Sequence, residues 1–274
     1  KRKAQADKEK AEAEALARAK VLAAANVKRP DEPEVVAIAD IRPYSVHRAF
    51  YGDWYSPGAR SARPGLLEVY QREGWPDRTA AEKHIKIYTD GYDALLDDPN
   101  IEAVIIELPL HMHHPAAMAA MRKGKHVLTE KLMAHDVAQC KELARAAASL
   151  RDPAGNPIIL AVGHQRHYSM LYDNAVDQIK QGLLGDIHHI RAQWHRNNLP
   201  GRDSWALPIP GGEVTSDGKR HDPIRAELDK MQNEIGSLDS KTANIYRHRI
   251  AQWQQWDMDK TVNALEHGYE DNLN

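Results

Sequence analysis

Glu130 and Lys131 stand side by side at the end of the run Gly124-Lys-His-Val-Leu-Thr-Glu-Lys131, one residue after the apolar pair Val127-Leu128. A lysine at such a strand mouth can hold a substrate hydroxyl or serve in proton transfer, its pKa lowered by partial burial. The neighbouring carboxylate would orient the ammonium or hydrogen-bond a cofactor. The bland alternative is a surface ion pair, which contributes little. Asp40 closes a second apolar run, Glu34-Val-Val-Ala-Ile-Ala-Asp40. An acid there can accept hydrogen bonds from the ribose hydroxyls of a dinucleotide, and Arg42, two residues on, could instead neutralise a 2′-phosphate. Here the alternative is a solvated acid and a surface arginine.

Two further clusters carry chemistry-bearing side chains. In Leu108-Pro-Leu-His-Met-His-His114, three histidines fall in four positions. No carboxylate or cysteine accompanies them at a metal-ligand spacing, so no metal is expected. One histidine is expected to line a pocket while the others cap or solvate a helix start. His164, Gln165, Arg166 and His167 follow another apolar run. An arginine there suits a phosphate or a polar substrate; a hinge loop is the alternative. His195 and Arg196 sit in a later alternating segment whose crevice-facing side the pattern leaves open.

These residues need a scaffold that gathers strand ends. Val104-Ile-Ile106 is a β-branched run suited to a strand buried on both faces. Ala116–Met121 reads as a helix and Val127-Leu128 as the next strand. Ile85–Tyr88 is a short strand, after which Asp90 should cap a helix holding Leu95 and Leu96 and stopping near Pro99. A helix over about 136–150 leads to a strand over 157–163, then to a helix striped by Tyr172, Val176, Ile179 and Leu183 and ending at Gly185. Strand–helix–strand order implies a parallel, right-handed α/β layer, with ligands at the C-terminal strand ends.

The pattern changes after that layer. From Ile187 to Asn197 polar and apolar residues alternate, as in a strand of a second, antiparallel sheet. A Pro/Gly-rich loop over 199–222 precedes Asp222-Pro223, an N-cap and first helical position. Ile224, Leu228, Met231, Ile235 and Leu238, then Tyr246, Ile250 and Trp253, stripe a helical hairpin over about 223–262, expected to pack on its own sheet. Residues 41–80, rich in Pro and Gly, are expected to be irregular. Residues 1–26 favour a helix.

The fold class expected is α/β: a Rossmann-like parallel-sheet domain, then an α/β (α+β) domain with an open, largely antiparallel sheet. Residues 1–33 form an N-terminal helix and turn, 34–165 the first domain, and 166–274 the start of the second. At 274 residues, 28% charged and with a formal charge of −2, the chain offers no electrostatic footprint for nucleic acid. No apolar run reaches membrane-spanning length. The single cysteine, Cys140, excludes an internal disulfide and reads as a small buried side chain. Lys1, Arg2, Lys3, Lys8 and Lys10 oppose a helix dipole, so the ends are expected to be cut. The expected location is cytoplasmic, or exported (periplasmic) if a signal preceded Lys1.

Taken in order, five motifs resemble the glucose–fructose oxidoreductase/inositol dehydrogenase (Gfo/Idh/MocA) family over about Glu34–Asn197. They are Val35-Val-Ala-Ile-Ala-Asp40, Leu95-Leu-Asp-Asp-Pro-Asn-Ile-Glu-Ala-Val104, Pro109 with His113, Gly124-Lys-His-Val-Leu-Thr-Glu-Lys131, and Gly182-Leu-Leu-Gly185. The resemblance implies NAD or NADP as cofactor and a sugar, polyol or related derivative as substrate. By position it makes Asp40 the adenosine-ribose acid, and Pro109 and His113 the loop flanking the nicotinamide half. Glu130-Lys131 matches the family's Glu-Lys-Pro motif, with Lys131 the catalytic or substrate-orienting residue. Gly163–Arg166, including Gln165, matches the loop that closes the cofactor site, and Arg166 and His195 are further substrate contacts.

Four departures accompany it. Residues 1–34 hold no glycine, where a glycine-rich turn is expected to cradle the pyrophosphate. Leu110 replaces the asparagine after the loop proline, and Leu132 replaces the proline after the lysine. A downstream Asp/His motif has no match before Asn274. The expectation is therefore an NAD(P)-dependent oxidoreductase acting on CH–OH groups of a small sugar-like substrate, assembled as a homo-oligomer. The alternative is a non-catalytic sugar- or nucleotide-binding scaffold, or an inactive fragment.

Overall fold

The computed structural model describes residues 33–55, 59, 63–70, 73–167, 169–193 and 207–269. The helix expected over 1–26, the position of the glycine turn, and His195 and Arg196 lie outside the described residues. The chain divides into two compact units. The first holds the described residues up to Thr89 together with Ile224–Val262. The second holds Asp90–Pro223 and the residues from Asn263 onward.

In the first unit, β1 (Ala37–Ala39) runs parallel to β2 (Lys86–Tyr88), with Ile38 opposite Ile87. Residues 41–80 are more regular than their Pro and Gly content suggests. Helices α1 (Pro43–Tyr51), α2 (Leu66–Val69) and α3 (Arg78–Ala81) all form there. Pro43 marks a start rather than a break: it is the first residue of α1, where a missing N–H is harmless. Val46, Phe50, Ala81 and Ile85 make a small core with Ile38 and Ile87 against it.

Chain order alone does not show that the helical hairpin belongs to this unit. Helix α8 (Pro223–Glu234) starts at the expected proline, and α9 (Ser240–Met258) is capped by Asp239, which accepts from the backbone N–H of Lys241 and Thr242. Ile224, Leu228 and Met231 of α8, with Trp253 and Trp256 of α9, close around Tyr44 of α1. The stripe is the one the spacing predicts, but it packs on α1 rather than on a second sheet.

In the second unit, helix α4 (Asp93–Asp97) leads to β3 (Ala103–Ile106), α5 (His113–Arg122), β4 (His126–Glu130), α6 (Val137–Ser149) and β5 (Leu160–Gly163). The strands lie in the order β3-β4-β5, all parallel, with Val104 opposite Val127 and Val127 opposite Leu160. Tyr92, without a side-chain hydrogen bond, takes the cap position before α4 that Asp90 was expected to fill. Asp136 caps α6, accepting from Gln139 N–H at 2.8 Å. Gly124, with φ 74°, makes the left-handed turn from α5 into β4. Cys140 is half-buried.

Two expectations change here. Strands β3 and β4 are not buried on both faces: α5 packs on β3 and β4, while the facing pair Ile105 and Leu128 stays 67% and 37% exposed. The strand expected over 187–197 is absent through Gln193, and Ile187 and Ile190 are exposed. A strand is stabilised by its neighbours, and none lies beside this one among the described residues. Helix α7 (Met170–Lys180) buries none of its residues. Beyond it, β6 (Glu213–Val214) and β7 (Arg220–His221) form a two-residue antiparallel ladder.

Candidate active site

The candidate residues fall in both units, and each group has its own construction. Asp40 follows β1 in the first. Its Oδ1 accepts from Arg42 N–H at 2.8 Å, a turn that fixes the carboxylate where the strand gives way to α1. Burial raises its pKa. The Arg42 N–H bond, a bond from the Ser45 side chain and the charges of Arg42 and Arg48 pull the other way. A carboxylate has about four acceptor sites, so these two bonds leave capacity for hydroxyl donors.

Arg42 is engaged. Its Nε donates to Asp259 Oδ2 at 2.8 Å, and Asp259 is 2% exposed. Asp259 Oδ1 accepts from Tyr44 N–H at 3.0 Å. Burial, with Asp40 nearby, raises the Asp259 pKa against the bonds from Tyr44 and Arg42. Nη2 of Arg42 is buried without a hydrogen-bond partner. Arg48, the other guanidinium acting on Asp40, pairs with Asp53 Oδ2 at 3.0 Å, and Gln252 of α9 donates to Asp53 Oδ1 at 3.1 Å. Sequence reasoning missed Asp259, which lies 217 residues from its partner and follows an amphipathic helix as an unremarkable surface acid would.

In the second unit, Pro109 begins a single 3-10 turn, Leu110–Met112, that runs into α5. The three neighbouring histidines diverge. His111 Nε2 meets Gly268 O at 2.8 Å, and His114 Nε2 meets Glu142 Oε2 at 3.0 Å. His113, 1% exposed, is held between Leu108 O at 2.7 Å and Leu132 O at 2.6 Å. It ties the loop after β3 to the residue that follows Lys131. The Lys131–Leu132 peptide is cis.

Glu130 ends β4 beside Gly163, the last residue of β5. Its Oε2 accepts from the backbone N–H of Lys131 at 3.1 Å, so what it orients is the peptide, not the ammonium. A Cβ at position 163 would sit 2.9 Å from Glu130 Oε1; glycine there leaves the carboxylate its place. Lys131 is exposed where partial burial was expected, because the chain leaves the sheet directly after Glu130. Gln165 and Arg166 are exposed in the turn after β5.

For a dinucleotide, the residues fit in two respects. Asp40 offers acceptor capacity at the C-terminal end of a parallel strand, and Gly163 clears room beside Glu130. The pyrophosphate cradle would fall in residues outside those described.

Residues 17–155, half of the chain, match the oxidoreductase family described as having an NAD-binding Rossmann fold (GFO_IDH_MocA). An uncharacterized oxidoreductase of Schizosaccharomyces pombe is 30% identical over 69% of this chain and 50% of its own length. A dTDP-3,4-didehydro-2,6-dideoxy-alpha-D-glucose 3-reductase of Streptomyces violaceoruber is 33% identical over 46% of this chain and 35% of its own. The solved NAD binding oxidoreductase of Klebsiella pneumoniae superposes on 39% of this chain and 28% of that one, at 31% identity and a TM-score of 0.31. The chain thus spans half or less of the length of these relatives. The matched segment takes in Asp40, Pro109, His113, Glu130 and Lys131, and the chain belongs to the Gfo/Idh/MocA oxidoreductase family.

Proposed function

We propose that the whole protein is an NAD(P)-dependent oxidoreductase that moves a hydride between the nicotinamide and a CH–OH or keto carbon of a sugar, polyol or related derivative. This chain would supply its nucleotide-binding part. The observation that carries the reading is the β4 mouth. Glu130 lies over Gly163 and holds the Lys131 peptide, while His113 holds Leu132 from the other side. The family fold supports it, as do relatives named as a sugar-nucleotide reductase and an inositol 2-dehydrogenase.

In this reading Asp40 accepts hydrogen bonds from the adenosine ribose, and Glu130 and the Gly163–Arg166 turn, with Gln165, flank the rest of the cofactor. Pro109 and His113 shape the loop beside the nicotinamide. The bound nicotinamide supplies the hydride acceptor or donor. Lys131 holds the substrate hydroxyl and carries its proton, and the exposed ammonium takes its final position from the substrate. Arg166 and His195 are substrate contacts in the same proposal, as is assembly into a homo-oligomer. No helix among the described residues is long and apolar enough to cross a membrane.

The test is turnover of the full-length protein carrying Lys131→Ala, with cofactor affinity measured alongside. A proton-transfer residue contributes about 10²–10⁴-fold. Turnover should fall by that order while NADH affinity stays within about twofold. Unchanged turnover would remove Lys131 from the mechanism. A chain that binds neither cofactor would favour a non-catalytic scaffold.

A further inference from the structure

We propose that Asp259, at the far end of the hairpin, is a specificity-determining residue: by pairing with Arg42 it withholds that guanidinium from a 2′-phosphate and biases the Asp40 corner toward NAD over NADP. The inference rests on the dinucleotide reading above and concerns which of the two cofactors the corner takes.

The backbone of Arg42 is fixed beside Asp40 by the 2.8 Å bond from its N–H. From that position an extended arginine could reach a phosphate on the ribose that Asp40 holds, and a guanidinium suits that oxyanion. Instead the side chain turns to Asp259, with Nε bonded at 2.8 Å and Nη2 buried without a partner. Arg48, the other arginine near Asp40, is held by Asp53. A 2′-phosphate arriving there would meet the Asp40 carboxylate with both neighbouring guanidinium groups already engaged, and like charge at close range discriminates strongly. A ribose with free hydroxyls needs only the acceptor oxygens of Asp40.

Asp259 itself is held from two sides. Its Oδ1 accepts from Tyr44 N–H, and Tyr44 stacks on Trp256, three residues before it, with ring centroids 4.9 Å apart. The hairpin is thus the element that presents this acid to the corner.

The experiment titrates the chain and three variants with NADH and NADPH, reading quenching of the six tryptophans. Asp259→Asn keeps an oxygen for Tyr44 N–H and removes the charge that holds Arg42. The parent chain should bind NADH more tightly. In Asp259→Asn the preference should shrink by about tenfold or more, since a hydrogen bond to a charged group is worth about that ratio. Arg42→Met in the Asp259→Asn background should restore the parent preference, because the gain runs through Arg42. Arg42→Met alone should keep the preference for NADH or raise it, since the Asp259 carboxylate then loses its cation. An unchanged preference in Asp259→Asn with NADH binding intact would overturn this inference alone. A folded parent chain that binds NADPH as tightly as NADH would also overturn it, whether or not Asp259→Asn folds. A folded parent chain that binds neither cofactor would overturn the dinucleotide reading and this inference with it.

Discussion

Asp40 and Lys131 each follow a parallel strand, yet their surroundings differ. Asp40 is flanked by a bonded serine, a bonded backbone N–H and two arginines; Asp259 ties Arg42 to the hairpin, and Asp53 ties Arg48 to the segment that follows α1. Lys131 is exposed, and its neighbours hold its peptide and that of Leu132 while its side chain extends into solvent. Groups that recognise a fixed ligand gain from being ordered beforehand, because no entropy is then lost at binding. A long side chain placed by the substrate keeps its rotamer freedom until the substrate arrives. On the proposed function, the first corner suits recognition of a fixed ligand and the second suits contact with a substrate that comes and goes.

The largest effect should come from breaking the brace. Trp256 is fully buried, stacks on Tyr44 and meets Trp253 edge-on at 5.1 Å. Trp256→Ala should cost about 3–5 kcal/mol of stability, seen as a lowered urea midpoint. Lys131→Ala, at the open corner, should stay within about 0.5 kcal/mol. If Trp256→Ala moved the midpoint no further than Lys131→Ala, the hairpin would not brace the Asp40 corner.

How much of this is legible in the sequence follows the same division. Short-range signals carry through: the runs ending at Asp40, Ile106, Glu130 and Gly163 give the parallel strands, and Ile224, Leu228, Met231 and Trp253 give the hairpin's apolar face. Glu130 and Lys131 are found because charges at a strand mouth are conspicuous. Asp259 is not, because its meaning depends on a contact across 217 residues that no periodicity records. Helix α1 is hidden for a related reason, since Pro43 punctuates either a loop or a helix start and only the burial of Tyr44, Val46 and Phe50 decides which. The exposed faces of Ile105 and Leu128 show the opposite error. Apolar β-branched residues read as buried on both sides, but the helices described pack on only one.

A smaller effect concerns pH in the braced unit. Burial, and then the charges of Arg78 and His248, lower the His47 pKa from 6.5 to about 4. Between those values the unfolded chain binds the extra proton and the folded chain does not. Stability therefore falls as pH drops from about 6.5 toward 4, by about 2 kcal/mol after allowance for partial exposure. Asp40 and Asp259 act in the opposite sense. Their raised pKa values mean that their contribution is present at low pH and lost as pH rises through the folded values. His47→Gln should remove the first trend and expose the second. The parent midpoint should be lower at pH 5 than at pH 7.5, and the variant's equal or slightly higher. A midpoint difference between the parent and His47→Gln that is the same at pH 5 and at pH 7.5 would show that His47 is not held neutral by its surroundings.

A small stability effect should also come from the open corner, where Gly163→Ala tests whether Glu130 is as adaptable as its neighbour. The new Cβ would approach Glu130 Oε1 to 2.9 Å and Cδ to 3.4 Å. The obstructing atoms end a flexible side chain, and φ at Gly163 lies outside the left-handed region. Alanine should thus displace the carboxylate and change stability by less than about 1 kcal/mol. Cofactor affinity should fall a few-fold. Glu130→Gln should give a loss of similar size, and the double variant should lose little more than either alone, since both act on one carboxylate. Additive losses would mean that Gly163 touches the ligand itself. A stability loss approaching that of Trp256→Ala would mean that the β4–β5 mouth is as tightly built as the Asp40 corner, and the contrast between the two would disappear.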